Sequence, residues 1–135
     1  MTKPGNQLPD AEQLLQRLAA LLQPAISQDT ALVGIHSGGV WIMERLLPML
    51  GANLEHGRLD VSFYRDDFGQ RGLHHDTQPS EIPFEVEGRH IILIDDVFYT
   101  GRTIRAAMNE LFDYGRPASI SLAVLVNRGG RELPI

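Results

Sequence analysis

The residues best suited to chemistry lie in one run, Ile91 to Thr103, which reads IILIDDVFYTGRT. An apolar stretch delivers two adjacent acids, Asp95 and Asp96. A polar turn follows, Thr100-Gly101-Arg102-Thr103, and then a helix-forming segment. Gly101 permits a tight backbone turn in which successive N–H groups point to one side. The two threonine hydroxyls add donors, and the start of the coming helix adds partial positive charge. Together these are the parts of a phosphate cradle. Asp95 and Asp96 cannot hold a phosphate, because like charges repel. They can accept hydrogen bonds from sugar hydroxyls or face a hydrated divalent cation. A phosphate on one side and a diol on the other describes a phosphorylated ribose. Taken singly, each residue reads equally well as part of a strand end, a solvated acidic pair or a threonine helix cap. The whole thirteen-residue pattern favours the ligand.

Composition narrows the alternatives. The chain has 135 residues, 43% hydrophobic and 21% charged, which suits one domain with a real core spanning 1–135. The basic residues are eleven arginines and one lysine, Lys3, in a polar start that is expected to fray. Amine-base and Schiff-base chemistry are therefore excluded. With no cysteine there is no disulfide, thiolate nucleophile or cysteine zinc site. No long apolar span or signal peptide is visible, so a soluble, cytoplasmic protein without membrane contact is expected. The net charge of -5 weighs against general nucleic-acid binding. Residues 89–135 hold six basic and five acidic residues, while residues 1–88 hold six and twelve. The second part is the better place for an anion.

The elements that must position the acids follow from periodicity. Asp10 with Gln13 reads as a capping box, and Leu14, Leu15, Leu18, Leu21 and Leu22 recur at helical spacing up to Pro24. Thr30 to Ile35 is an apolar strand broken by Ser37-Gly38-Gly39. A second helix is predicted over Val40 to Leu50, bent or ended near Pro48. Leu59, Val61 and Phe63 alternate with polar neighbours and predict a strand. His90 to Ile94 is a buried strand, Arg102 to Tyr114 a helix stopped by Gly115, and Ile120 to Val126 a last strand. Apolar strands alternating with helices give an α/β fold, a mostly parallel sheet flanked by helices. Ligands of such sheets bind beyond the carboxyl ends of the strands, where the acids sit. A receiver domain shares length and sheet type. Its acid pair follows the first strand and it needs a lysine on a later strand end, which this chain lacks.

These residues resemble a known family. Asp95-Asp96-Val97-Phe98-Tyr99-Thr100-Gly101-Arg102-Thr103 is similar to the diphosphoribosyl-binding motif of type I phosphoribosyltransferases. Tyr64-Arg65-Asp66-Asp67, Gly115-Arg116-Pro117, the LAVLV strand and Arg128-Gly-Gly-Arg-Glu-Leu-Pro further resemble the PyrR family, from about Ala31 to Ile135. That family comprises uracil phosphoribosyltransferases that also act as pyrimidine-operon attenuation proteins. The resemblance implies a type I phosphoribosyltransferase fold and conversion of uracil and 5-phosphoribosyl diphosphate to UMP and diphosphate. It implies Mg2+ carried by the diphosphate, with no direct protein ligand.

The resemblance also assigns residues. Thr100 to Thr103 would take the 5′-phosphate, and Asp95 and Asp96, the catalytic pair, the ribose hydroxyls. Val97, Phe98 and Tyr99 would line the same site, and Arg128 would meet the diphosphate or base side. Arg131 reads equally as a ligand contact and as a solvated turn residue. The loop His36-Ser37-Gly38-Gly39 matches the family's diphosphate loop, where small residues let backbone amides approach the leaving group. Asp66 to Pro83 is long enough for a lid, with Arg65, Asp66, Asp67 and Arg71 at its working end. His74 and His75 read as solvent-exposed. Trp41, Phe84 and Phe112 are expected in the core or at an interface.

Three departures from the family pattern stand out. His36 and Gly38 occupy positions where many relatives carry basic residues. Tyr99 replaces an acid of purine-specific relatives. The chain stops at Pro134-Ile135, so a shortened C-terminal part is expected, with weakened or lost activity as its consequence. A pyr messenger RNA leader and a second copy of the chain, as homodimer or higher oligomer, are the partners that the resemblance implies. The alternatives are a nucleotide-sensing regulator without catalysis and another type I phosphoribosyltransferase.

Overall fold

The computed structural model describes residues 10–51, 53–62 and 80–135. Helix α1, Ala11–Leu22, starts at Asp10, whose carboxylate accepts from the Glu12 amide at 3.3 Å. A single 3-10 turn, Gln23–Ala25, leads to strand β1, Thr30–Ile35. Helix α2 covers Gly38–Leu50 and strand β2 covers Glu55–Leu59. Strand β3 is His90–Phe98, helix α3 is Arg102–Phe112, and strand β4 is Ser119–Asn127. The strands form one sheet in the order β2-β1-β3-β4, and every neighbouring pair is parallel.

The core lies on both sheet faces, as continuous apolar strands require. Ala31, Val33, Ile91 and Leu93 turn to one side, where Ile104, Ala107 and Leu111 of α3 cover them. Leu32, Ile92 and Ile94 turn to the other side, against Leu15 of α1 and Ile42, Met43 and Leu46 of α2. Period-two alternation along β1 and β3 thus splits one apolar run into two cores.

Several boundaries differ from the expectation. Of the strand predicted from Leu59, Val61 and Phe63, the described residues keep only Leu59, as the last residue of β2, which runs upstream over the more polar Glu55–Leu59. Gly57 makes this possible: a Cβ there would stand 2.6 Å from the Glu81 carbonyl oxygen, and Arg58 pairs with Glu81 as an antiparallel bridge. After Leu59 the chain turns, with the Ser62 amide bonded to the Asp60 carboxylate at 2.8 Å. Val61 enters the core on the α3 side from that turn rather than from a strand. Phe63 lies outside the described residues. Helix α2 begins earlier than expected, at Gly38, and runs through Pro48 to Leu50. A proline in the last turn removes one helical bond, and the Gly51 amide still closes the helix on the Leu47 carbonyl at 2.8 Å. Strand β3 continues four residues past Ile94, because β4 pairs with it as far as Phe98 and Asn127. Trp41 and Phe112 are about half exposed rather than core, and Arg45 stacks over the Trp41 ring at 5.2 Å. Phe84 packs on the core, as expected. Among the described residues no helix is long and apolar enough to cross a membrane.

Leu93 sits at the centre of the sheet and is fully buried. Leu93→Ala should lower stability by about 2–5 kcal/mol through lost burial and the cavity left behind. The urea midpoint of unfolding measures it, and an unchanged midpoint would contradict this assignment of the core.

Candidate functional site at the carboxyl ends of the strands

The site is built on a close contact between α2 and β3. A Cβ on Gly39 would stand 2.0 Å from the Ile94 carbonyl oxygen and 3.1 Å from the Asp95 Cα. A Cβ on Gly34 of β1 would stand 2.9 Å from the Gly39 carbonyl oxygen and 2.9 Å from the Val40 Cα. Only glycine lets the first turn of α2 settle this deeply over the sheet. A Cβ on Gly38 would fall 2.2 Å from Asp96 Oδ2, so the Asp96 carboxylate lies directly against the helix start. The partial positive charge of that end favours a carboxylate there. The small residues of Ser37-Gly38-Gly39 thus make room for helix, strand and acid, whereas the sequence suggested only room for a ligand.

The two acids differ in setting. Asp95 is 7% exposed and its Oδ1 accepts from the Asp96 amide at 2.8 Å. Asp96 is exposed, and its Oδ1 accepts from the Val97 amide at 2.9 Å. Both sit on β3 itself rather than in a loop beyond it; the register with β4 pairs Asp95 with Val124 and resumes at Val97 with Val126, passing over Asp96. Successive strand residues point to opposite faces, which explains why one acid is buried and the other open. Facing them, the His36 amide bonds to the Leu59 carbonyl at 2.9 Å, and the Trp41 amide bonds to the Ser37 carbonyl at 3.2 Å.

A cavity of about 130 Å3 follows at the end of β3, lined by the unbroken run from Val97 to Ile104. Gly101 has φ 97° and stands at the N-cap of α3, a left-handed conformation that disfavours any other residue. Thr100 is buried, and its hydroxyl accepts from the Arg102 amide at 3.1 Å. The Thr103 side chain is half-buried in the first turn of α3. Polar groups at a helix start beside an acid pair, one buried and one open, can hold an anion and a polyol together.

Three arginines surround this turn. The Arg128 guanidinium stacks on the Tyr99 ring at 4.0 Å from its centre. Arg131 stacks on the Phe98 ring at 3.6 Å and donates to the Tyr99 carbonyl. The Arg102 Nε donates to the Glu132 carboxylate at 2.9 Å. The structure therefore brings together Ser37, Gly38, Asp95, Asp96 and Val97 to Thr103, with Arg128 beside Tyr99. It gives Arg131 the intramolecular partners Tyr99 and Asn127, and it adds Glu132, for which the sequence carries no signal. Acid-arginine pairing across thirty residues leaves no local pattern. Arg65, Asp66, Asp67, Arg71, His74 and His75 lie outside the described residues. Among the described residues there is no group of three or more metal-ligating side chains. Tyr114 lies just past the far end of α3; burial, then Glu110 and Asp113, raise its phenol above the ordinary value.

With this geometry in hand, comparison with known proteins decides the family. The phosphoribosyl transferase domain profile matches residues 5–135. The bifunctional protein PyrR of Pseudomonas fluorescens is 55% identical over 133 residues, covering 95% of this chain and 79% of that one. The bifunctional protein PyrR of Pseudomonas aeruginosa is 53% identical over 132 residues, covering 95% and 78%. The chain belongs to the PyrR family of phosphoribosyl transferases. Solved structures agree on the fold. A purine phosphoribosyltransferase from Pyrococcus horikoshii superposes with a TM-score of 0.64 at 23% identity, covering 90% of this chain and 82% of that one. A hypoxanthine-guanine phosphoribosyltransferase from Bacillus anthracis gives 0.74 at 15% identity, covering 96% and 78%. At such identities only the fold carries over, and it is the type I phosphoribosyltransferase fold expected for a PyrR-family chain.

The contact of α2 with β3 is testable by two neighbouring substitutions. Gly39→Ala meets backbone and should destabilise the chain by about 1–3 kcal/mol, despite the better helix propensity of alanine. Gly38→Ala meets only the Asp96 side chain, which can swing aside, and should be milder. Thermal unfolding of both variants is the measurement. A Gly39→Ala midpoint equal to the native one would refute the contact.

Proposed function

We propose that this PyrR-family chain joins uracil to 5-phosphoribosyl diphosphate, giving UMP and diphosphate, and regulates pyrimidine gene expression through the pyr messenger RNA leader. The observation that carries the reading is the acid pair on β3 beside the glycine-led start of α3. Residues 1–135 act in it as one phosphoribosyltransferase-like domain, working in the cytoplasm. The 5′-phosphate lies on Thr100, Gly101, Arg102 and Thr103. Asp95 and Asp96 accept from the ribose hydroxyls, and Val97, Phe98 and Tyr99 line the base side with Arg128. Ser37 and Gly38 face the diphosphate.

The chemistry follows from these roles. The bond from the ribose anomeric carbon to the diphosphate oxygen breaks, and a bond to the uracil nitrogen forms, with the uracil proton lost to solvent or to the diphosphate. Positive charge builds on the sugar ring as diphosphate departs. Two carboxylates on the hydroxyl side of that ring stabilise it electrostatically, and the rigid strand holds them without reorganisation. The phosphate cradle fixes the sugar at its other end, so reacting atoms stay aligned. Mg2+ bound through the diphosphate would neutralise part of the leaving group's charge, and in hydrated form it would face Asp95 and Asp96 without taking either as a direct ligand.

Purified protein, uracil, labelled 5-phosphoribosyl diphosphate and magnesium should yield UMP. Gly101→Val should abolish tight uptake of the sugar diphosphate, because valine resists φ 97°. Asp95→Asn should raise the sugar-diphosphate KM roughly ten- to a hundred-fold, the worth of a hydrogen bond to a charged group. Full turnover in Gly101→Val would overturn the placement of the phosphate. Filter binding with the pyr leader, with and without UMP, tests the regulatory half. Affinity no better than for random RNA would remove it.

A further inference from the structure

A phosphate cradle needs its amides turned inward, which turns the neighbouring carbonyls outward. In a strand-to-helix turn those carbonyls have no ladder to join, and shielded carbonyls need partners. The residues after β4 supply them in sequence. The Arg128 amide donates to the Phe98 carbonyl at 2.9 Å. The Arg131 guanidinium donates to the Tyr99 carbonyl and, at 3.5 Å, to the Phe98 carbonyl. The Glu132 and Leu133 amides both donate to the Thr100 carbonyl, at 2.9 and 3.1 Å.

Arg131 is the one side chain in this set, and it is itself held on two further sides. Its plane lies on the Phe98 ring, 3.6 Å from the centre, and its other terminal nitrogen donates to Asn127 Oδ1 at 2.8 Å. The next residue, Glu132, pairs with Arg102 in the first turn of α3. Leu133 and Ile135 cover Gly101 from outside: a Cβ on Gly101 would stand 3.4 Å from Leu133 Cβ and 3.2 Å from Ile135 Cγ1. Apart from the bond to Asn127, these contacts fall on Phe98 to Arg102, within the lining of the cavity.

We propose that Arg131 is a positioning residue for the phosphate cradle: by gripping the Phe98 and Tyr99 carbonyls it holds the Thr100 to Thr103 turn in the shape an anion needs, without touching the ligand. Arginine is required because a planar fork can stack on a ring and donate to several oxygens at once. A lysine is a point charge that cannot do both. The inference rests on the phosphoribosyl reading above and extends it to a residue outside the binding motif.

The test uses the full chain with Arg131→Met and Arg131→Lys. Calorimetric titration gives the affinity for 5-phosphoribosyl diphosphate, and UMP formation at saturating sugar diphosphate gives the uracil KM. Arg131→Met should weaken the sugar-diphosphate affinity about ten- to a hundred-fold, the scale of a small misplacement of binding groups. The uracil KM should not change. Arg131→Lys keeps the charge over Phe98 and stands in if the methionine variant fails to fold. Its affinity should fall between those of the native and methionine proteins. A folded lysine variant with native affinity would overturn the proposal, as would equal shifts in both constants. Native protein that takes up no sugar diphosphate would instead overturn the phosphoribosyl reading, and this inference with it.

Discussion

The deep seating of α2 on the sheet is the constraint on which the site depends. Three glycines, Gly34, Gly38 and Gly39, bring no side chain of their own to the contact, and the helix start comes to rest against the backbone of Ile94 and Asp95 and the side chain of Asp96. Seated this way, the helix end offers its positive pole to Asp96, while the sheet buries Asp95. Two chemically identical neighbours thereby acquire different environments, one fixed and shielded, the other open. The division arises from strand alternation and from the depth of one helix, not from any difference in residue type.

A second economy concerns the backbone between β3 and α3. The strand ends at Phe98 and the helix starts at Arg102, so three residues must reverse their hydrogen-bonding role within about one turn. The Tyr99 and Thr100 carbonyls find partners in residues 131–133, which arrive because β4 runs parallel to β3 and ends beside it, while the Gly101 carbonyl takes the Arg105 amide of α3. The parallel register, Phe98 opposite Asn127, sets the start of the tail next to the residues it must satisfy. Local turn and distant tail therefore form one unit. The ring stacking of Arg128 on Tyr99 and of Arg131 on Phe98 adds rigidity to the same few residues.

Membership of the PyrR family and the fold of its phosphoribosyltransferase relatives agree with this architecture. The departures noted in the sequence acquire a physical setting. Gly38, at a position where many relatives carry a basic residue, has no space for any side chain unless Asp96 moves. Tyr99, where purine-specific relatives carry an acid, is 44% exposed and stacked under an arginine, an arrangement that an acid could not make.

Much of this was legible in the chain itself. Thr30–Ile35 emerged with the bounds read from its apolar run, and α1 with its Asp10 cap, because short-range patterns encode them. The motif Asp95 to Thr103 resembles that of type I phosphoribosyltransferases by itself, whereas the resemblance to PyrR needs further segments as far as the RELP run. What the sequence alone could not decide was whatever depends on a distant partner. β2 is a polar pentapeptide that becomes a strand only because β1 lies along one side and Glu81 bridges from the other. The extra length of β3 exists because β4 pairs with it. The roles of Arg131 and Glu132 need a tail and a turn thirty residues apart to meet. Local chemistry was written in residue types and spacing, while orientation, burial and mutual support came from contacts that only the folded chain creates.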